Sequence, residues 1–162
     1  MSLQSKDFYK RFGKPTPTFE RMNMVLWDIP QYISDCIPTL PRRIYCNKQM
    51  VLPLEIAFLN VIDKGLEREI KTYDGCFNNR PIRGYEKKFN DRVANGRWDL
   101  AAKYMSVHSW GCAIDINAFE NGLGKTPKMR KELVSCFVDA GFEWGGNWTR
   151  KDGMHFQLLY LN

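Results

Sequence analysis

The chain has few of the residues that build disulfide frameworks, zinc knuckles or membrane spans. Its five cysteines are odd in number and form no Cys-x-x-Cys pair, which argues against a disulfide framework and against a structural zinc knuckle. No apolar run reaches transmembrane length, and no secretory hydrophobic region stands at the amino terminus. We therefore expect synthesis in a reducing compartment, with no signal peptide and no transmembrane segment.

Histidine is scarcer still, because the chain has only His108 and His155. Each has an aspartate nearby: Asp115 follows the first histidine, and Asp152 precedes the second. A catalytic zinc takes three protein ligands and leaves one position for water. The two histidines and Asp115 therefore predict a zinc site with two imidazoles and one carboxylate, provided that the chain turns at Gly111 to bring His108 and Asp115 to the same side.

Length and charge limit the class of protein and its partners. With 162 residues, 44% of them hydrophobic, the chain predicts one globular domain over 1–162, with an N-terminal wrap (1–50) packed on a catalytic core (52–162). The net charge of +6 favours an anionic partner, such as nucleic acid, a membrane surface or the bacterial cell wall. No nucleic-acid-binding module or basic stripe is recognisable, so we expect no nucleic acid partner and a monomer.

The pattern of hydrophobic residues predicts an α+β fold. Period-two and helical patterns indicate strands at 70–73, 113–118 and 155–161, helices over 52–70 and from Pro127 onward, and a turn at 142–148. Helices and strands do not alternate as βαβ units. We therefore expect a central antiparallel sheet flanked by helices, with the zinc site on the sheet.

Hydrolysis at the predicted site would require a general base and a cation. Asp152 is the candidate general base, which would then donate its proton to the leaving amine, while a bound metal lowers the pKa of its water from about 15.7 toward 7. Arg80 and Arg83 are the candidates for a cation beside the developing oxyanion.

Other residues near the motifs have two interpretations each. Cys112 is a metal ligand or a core-facing strand residue, and Asn117 hydrogen-bonds a ligand or caps a turn. Three tryptophans line a substrate groove or are half-buried packing residues: Trp110, Trp144 and Trp148.

Four segments together resemble one enzyme family. Ser-x-His-x-x-Gly-x-Ala-x-Asp over Ser106–Asp115, followed by Asp-x-x-His over Asp152–His155, resembles the zinc D-alanyl-D-alanine carboxypeptidase and L-alanyl-D-glutamate endopeptidase family. Its members include VanY-like cell-wall carboxypeptidases and phage endolysins. Gly75–Gly84 resembles the segment that carries the family's characteristic arginine, and Gly145–Trp148 is similar to its Trp-Gly-Gly-x-Trp signature.

The resemblance implies roles for five residues. His108, Asp115 and His155 would bind Zn²⁺, Asp152 would be the catalytic acid and base, and Arg80 would stabilise the substrate carboxylate or oxyanion, with Arg83 close by. The implied function is a zinc metallopeptidase that hydrolyses a peptide bond in the peptidoglycan stem peptide, as a phage endolysin-like L-alanyl-D-glutamate endopeptidase.

The resemblance also leaves two alternatives and implies a place of action. The alternatives are a D-alanyl-D-alanine carboxypeptidase of the same family and a non-catalytic metal-containing module of the cell wall or virion. In each case we expect a phage or prophage protein that is made in the bacterial cytoplasm and acts on the cell wall.

Overall fold

The structure is a computed structural model that describes residues 2–162. Within this range, helices surround a four-stranded antiparallel sheet, and a two-stranded sheet lies apart from it, which confirms the predicted α+β class. The helices are α1 (Ser5–Phe12), α2 (Pro17–Asn23), α3 (Gln31–Cys36), α4 (Val51–Asp63), α5 (Glu86–Ala94), α6 (Trp98–Ala101), α7 (Ala118–Asn121) and α8 (Lys131–Val138). The strands are β1 (Met24–Asp28), β2 (Arg43–Asn47), β3 (Tyr73–Gly75), β4 (Ala113–Ile116), β5 (Phe142–Trp144) and β6 (His155–Leu158). Across residues 2–162, no helix combines the length and hydrophobicity needed to cross a bilayer.

The register of the four-stranded sheet places two polar side chains opposite each other. The strand order is β3-β4-β6-β5, with each neighbouring pair antiparallel. In the central pair, Asp115 of β4 is the direct partner of His155 of β6. Because directly opposed residues of antiparallel strands project from the same face, both side chains lie on one side of the sheet.

The opposite face of the sheet packs against helices. Phe156, which alternates with His155 along β6, stacks on Phe137 of α8 with ring centroids 4.6 Å apart. Phe137 in turn makes an edge contact with Phe58 of α4. The period of two therefore divides β6 into a core face with Phe156 and a polar face with His155 and Gln157.

The N-terminal segment contains more regular structure than the sequence predicts. Besides α1 to α3 it forms the β1–β2 hairpin, whose strands are separated by α3. This hairpin supports the loop before β4, since Asn47 donates from its backbone N–H to the Gly111 oxygen and from its side chain to the Trp110 oxygen, at 3.0 and 3.1 Å. The indole of Trp110 donates to the backbone oxygen of Gly13.

Two predicted helix boundaries are wrong. The first helix, α4, ends at Asp63 rather than at residue 70, because Gly65 adopts a left-handed conformation with φ of 66°. The second, α8, begins at Lys131 rather than at Pro127. The N–H of Lys128 donates instead to the side-chain oxygen of Asn121 at 2.7 Å, which satisfies a donor that the first helical turn would leave free.

The strand predictions also need correction at their ends. The strand predicted at 70–73 lies instead at Tyr73–Gly75, as β3. The strand predicted at 113–118 ends at Ile116, because Asn117 has a left-handed φ of 54°. The predicted turn at 142–148 is wrong for its first part, which forms the edge strand β5. The last strand ends at Leu158 instead of residue 161.

We expect Gly111→Ala to destabilise the protein more than Gly65→Ala. Both glycines have nearly the same left-handed φ, 65° and 66°, so alanine costs about 1–2 kcal/mol at either position. At Gly111, however, a Cβ would lie 2.8 Å from the backbone nitrogen of Asn47 and 2.5 Å from Met24 Cε, whereas nothing lies within 4 Å at Gly65. Overpacking adds about 1–3 kcal/mol.

Chemical denaturation of the two variants measures this difference in the free energy of unfolding. Because the backbone strain is nearly the same in both variants, Gly65→Ala is the control for the steric contacts that a Cβ makes only at Gly111. Equal losses of stability in the two variants would contradict the close approach of the β1–β2 hairpin to Gly111.

Candidate metal centre and active site

The three candidate metal ligands come from separate local structures. His108 lies in a short 3-10 turn, Val107–Trp110, that precedes β4. Gly111 follows with φ of 65° and returns the chain into β4, which carries Asp115. His155 is the first residue of β6. The structure thus brings together the three residues that the sequence pairs, with the chain turning at Gly111.

The ligand atoms lie close together in a buried space. His155 Nδ1 lies 3.2 Å from His108 Nε2 and 3.3 Å from Asp115 Oδ1, and His108 Nε2 lies 3.2 Å from Asp115 Oδ2. His108 and His155 are only 4% and 5% exposed. Of the part of the chain that the structure describes, this is the group of His, Cys, Asp or Glu side chains arranged to hold a metal ion.

Both imidazoles direct a lone pair into this space. His108 Nδ1 lies 2.6 Å from the backbone oxygen of Cys76, and because a carbonyl only accepts, Nδ1 carries the hydrogen. His155 Nε2 lies 3.0 Å from Gln157 Oε1. The amide of Gln157 is oriented by its Nε2, which donates to the backbone oxygen of Leu3 at 2.8 Å. When both rings are neutral, as a bound metal requires, His108 Nε2 and His155 Nδ1 therefore face each other without a hydrogen.

The electrostatics of the three residues favour a positive charge between them. Burial acts to raise the pKa of Asp115, but its contacts with His108 and His155 outweigh burial and hold that pKa well below its usual range. Burial acts to lower the pKa of His155, and contact with Asp115 outweighs it and raises that pKa. Asp115 Oδ1 is buried and accepts no hydrogen bond. A proton or a metal cation would supply the missing charge.

The donor set fits zinc. Imidazole nitrogen and carboxylate oxygen are zinc ligands, and tetrahedral bonds of about 2.0–2.1 Å place neighbouring donor atoms about 3.3 Å apart. The observed separations of 3.2–3.3 Å match that edge length. Each histidine also donates its other N–H to an oxygen, which is the arrangement that orients metal-binding imidazoles.

Asp152 reaches the same pocket through a tight turn before β6. The N–H of Asp152 donates to the Gly145 oxygen at 3.0 Å, and the N–H of His155 donates to the Asp152 oxygen at 3.1 Å. Its Oδ1 is buried without a hydrogen-bond partner, and burial raises the pKa of this carboxyl. Asp152 is therefore a half-buried carboxylate, three residues from His155, with one oxygen that no protein group contacts by a hydrogen bond.

The two glycines of the Gly145-Gly146 pair are required by close packing around that turn. A Cβ on Gly145 would lie 2.6 Å from the Asp152 oxygen, and a Cβ on Gly146 would overlap the ring of Trp144. Trp144 itself donates from its indole to the Gly153 oxygen at 2.7 Å. The pair thus allows the turn with Asp152 to approach β5 closely enough to face the candidate metal centre.

A cavity of about 630 Å³ opens above the candidate centre. Its floor contains His108, Asp115 and His155, and Asp152 lines it as well. Its walls include apolar side chains at Ile82, Val107, Leu123, Trp148 and Met154. This volume is sufficient for a short peptide segment.

Only one of the three tryptophans lines the cavity. Trp148 does so, with its ring 5.2 Å from that of His155. Trp110 is fully buried and stacks on Phe8, and Trp144 packs beneath the Gly145-Gly146 pair.

Both candidate arginines line the cavity. Arg80 is partly buried: its Nη1 donates to the Pro81 oxygen at 3.1 Å, while its Nε is buried without an acceptor. Burial lowers the pKa of Arg80 and the nearby charge of Arg83 lowers it further, whereas Asp115 and Asp152 act in the opposite sense. Arg80 therefore lies within the field of both aspartates and retains an unused donor.

Two other residues with open interpretations lie away from the centre. Cys112 is fully buried in the core, and burial raises the pKa of its thiol well above the usual range. Asn117 accepts from the N–H groups of Lys71 and Thr72 and donates to the Glu69 oxygen. Cys112 is therefore a core residue, and Asn117 ties the segment before β3 to the end of β4.

Sequence reasoning missed Gln157, the residue that orients His155. A signal was present, since Gln157 lies two positions after His155 in a predicted strand and therefore on the same face. A polar residue there, between the apolar Phe156 and Leu158, could have been read as a partner of the predicted ligand.

The fold and the site define an α+β protein with a candidate two-histidine, one-carboxylate metal centre on its antiparallel sheet. Residues 100–158 match the family model described as D-alanyl-D-alanine carboxypeptidase. The match spans both histidine motifs but neither Arg80 nor Arg83, and it confirms the resemblance that the motifs indicate over this segment.

No curated protein matches the chain. The crystal structure of the Serratia marcescens L-Ala D-Glu endopeptidase is 17% identical, with 80% of this chain and 88% of that chain covered and a TM-score of 0.35.

We expect Gln157→Leu to weaken zinc binding about 10- to 100-fold, because His155 loses the acceptor that fixes its tautomer. Competition with a chromophoric chelator measures the zinc dissociation constant. Asn60→Leu is the control: Asn60 also donates to a backbone oxygen, that of Cys136, but it lies between α4 and α8, outside the centre. An unchanged zinc affinity in Gln157→Leu would contradict the assigned tautomer.

Proposed function

We propose that this protein is a zinc peptidase that hydrolyses a peptide bond in the stem peptide of peptidoglycan, as an L-alanyl-D-glutamate endopeptidase of the phage endolysin type. One observation carries the proposal: two imidazole lone pairs and a carboxylate converge at 3.2–3.3 Å on the floor of a cavity, beside a second, unpaired carboxylate. The family match over residues 100–158 supports the peptidase class.

His108, Asp115 and His155 would hold the metal. Zinc bound there would polarise the scissile carbonyl and lower the pKa of a water molecule that it binds. The hydrogen bonds from His108 to the Cys76 oxygen and from His155 to Gln157 hold both rings in the orientation that this binding needs.

Asp152 would carry the proton during the reaction. Its ionised carboxylate takes a proton from the attacking water as the oxygen bonds to the carbonyl carbon. When the carbon–nitrogen bond breaks, Asp152 returns this proton to the leaving amine. A pKa raised by burial suits both steps, because it makes the carboxylate a stronger base while the acid form can still donate.

Arg80 would stabilise the negative charge that develops on the carbonyl oxygen or is already present on the substrate. The Arg80 side chain lines the cavity, and the hydrogen bond that its guanidinium makes to the protein is the one from Nη1 to the Pro81 oxygen, so an N–H at the cavity surface can donate to a substrate oxygen. A donor that is positioned in advance in this way favours the transition state. Partial burial strengthens the interaction because it reduces screening by water.

The family description itself favours a second candidate function, removal of a terminal D-alanine by a carboxypeptidase. The two activities differ in the product, because a carboxypeptidase releases free D-alanine whereas an endopeptidase creates a new amino terminus within the stem. A wall module without catalysis is the third alternative. The half-buried carboxylate of Asp152 argues against it, since a carboxylate oxygen buried without a partner destabilises the fold and is then expected to have a function.

We expect mass spectrometry of purified peptidoglycan treated with this protein to reveal new amino termini at D-glutamate. A chelator should abolish these products, and added zinc should restore them. Asp152→Asn should lower the rate by about 10²- to 10⁴-fold, which is the range for loss of a general acid and base. It should bind zinc as the wild type does, because Asp152 is not among the three candidate ligands.

The matched control is Asp139→Asn, which removes an exposed carboxylate at the end of α8, outside the cavity. It should retain wild-type activity. Release of D-alanine alone would replace the endopeptidase by the carboxypeptidase, and wall binding without any zinc-dependent product would leave the non-catalytic module. Full activity of Asp152→Asn would contradict the role of Asp152.

A further inference from the structure

The cavity above the candidate metal centre has an excess of positive charge. Four cationic side chains line it, whereas the carboxylates that line it within residues 2–162 are the two of the candidate centre. These six residues are Arg80, Arg83, Lys103, Arg150, Asp115 and Asp152. A divalent cation in the centre would offset the charges of both aspartates, so the four cations would remain to act on whatever enters.

None of the four cations forms an ion pair within residues 2–162, although the Glu86 carboxylate, which accepts from the Gly84 N–H at 2.9 Å, lies near them. Arg80 and Arg83 are close enough for the charge of Arg83 to lower the pKa of Arg80. Like charges gathered around one pocket repel each other, and a bound anion would relieve that repulsion.

Arg150 is held in place at the mouth of the cavity by aromatic side chains. Its guanidinium lies over the ring of Tyr85, 5.6 Å from the centroid. Tyr85 is stacked on Tyr104, with centroids 5.7 Å apart. These contacts position the guanidinium before any ligand binds, and a cation over an aromatic face retains donors for an anion at its edge.

Arg150 also lies beside the backbone next to Arg83. A Cβ on Gly84, between Arg83 and Tyr85, would lie 3.4 Å from Arg150 Nη2. Arg150 belongs to the loop that leads into the Asp152 turn, whereas Arg83 belongs to the loop after β3, and both side chains line the cavity. A guanidinium binds a carboxylate through two parallel N–H···O hydrogen bonds, and either arginine can supply them.

We propose that Arg83 and Arg150 form a carboxylate-binding subsite, and that this subsite selects stem peptides in which the carboxylate next to the scissile bond is free over those in which it is amidated. This inference rests on the proposed function for the position of the scissile bond, but the subsite itself is a binding site. Arg80 lies deeper and serves the reacting carbonyl, whereas Arg83 and Arg150 are exposed at the rim and select the substrate.

The test compares two peptides that differ only in that carboxylate. One is N-acetyl-L-alanyl-γ-D-glutamyl-L-lysine, and the other has the glutamate α-carboxylate converted to a carboxamide. We expect the wild type to hydrolyse the acid with a kcat/KM about 100-fold higher than the amide. Arg83→Gln and Arg150→Gln should each reduce this ratio about tenfold, as expected for loss of one charge-assisted hydrogen bond, chiefly by slowing hydrolysis of the acid.

Three variants control for general effects of substitution. Arg92→Gln removes an exposed arginine of α5 that does not line the cavity, and it should leave the ratio unchanged. Tyr85→Leu removes the ring beneath Arg150 and should reduce the ratio as Arg150→Gln does. Tyr85→Phe keeps the ring and should retain the wild-type ratio.

Binding measured apart from hydrolysis separates this inference from the proposed function. Calorimetry of the zinc-loaded Asp152→Asn variant with the same two peptides should show at least tenfold tighter binding of the acid, lost in combination with Arg150→Gln. Tighter binding of the acid without hydrolysis by the wild type would support the subsite and overturn the peptidase. Equal hydrolysis of both peptides, or equal binding of both, would overturn the subsite whether or not the protein is a peptidase.

Discussion

The imidazole nitrogens of His108 and His155 face each other at 3.2 Å, and the carboxylate of Asp115 lies 3.2–3.3 Å from both. When both histidines are neutral and donate their only hydrogen outward, to Cys76 and to Gln157, three electron-rich atoms converge among largely buried side chains. Repulsion between such atoms is strong in a low-dielectric interior, and so is their attraction for a cation. The function proposed for the cavity depends on this one convergence.

The remainder of the fold keeps the three atoms in place. The antiparallel register sets Asp115 opposite His155, and the left-handed turn at Gly111 delivers His108 from outside the sheet. The hydrogen bond from Gln157 to the Leu3 oxygen links the orientation of His155 to the N-terminal segment. The helices on the other face of the sheet bury its apolar side chains, so the polar face is free to form the cavity wall.

The sequence predicts the chemistry of the site better than its boundaries. Scarcity of histidine and two short motifs were enough to group His108, Asp115 and His155, and the lack of βαβ alternation was enough for the α+β class. Predictions from local sequence are wrong where contacts between distant residues determine the structure. The helix predicted to begin at Pro127 begins later, and the N–H of Lys128 donates to Asn121 instead. The contact between the Arg150 guanidinium and the ring of Tyr85 joins two residues that are far apart in the chain, so no pattern of spacing in the sequence predicts it.

X-ray absorption spectroscopy at the zinc edge, on protein loaded with one equivalent of zinc, tests the central claim most directly. We expect nitrogen and oxygen donors at about 2.0–2.1 Å, with the multiple-scattering signature of two imidazoles and no sulfur. A sulfur shell at about 2.3 Å would assign the metal to cysteine thiolates instead. That result, or failure of the protein to retain zinc, would contradict the convergence of His108, Asp115 and His155 as a metal centre.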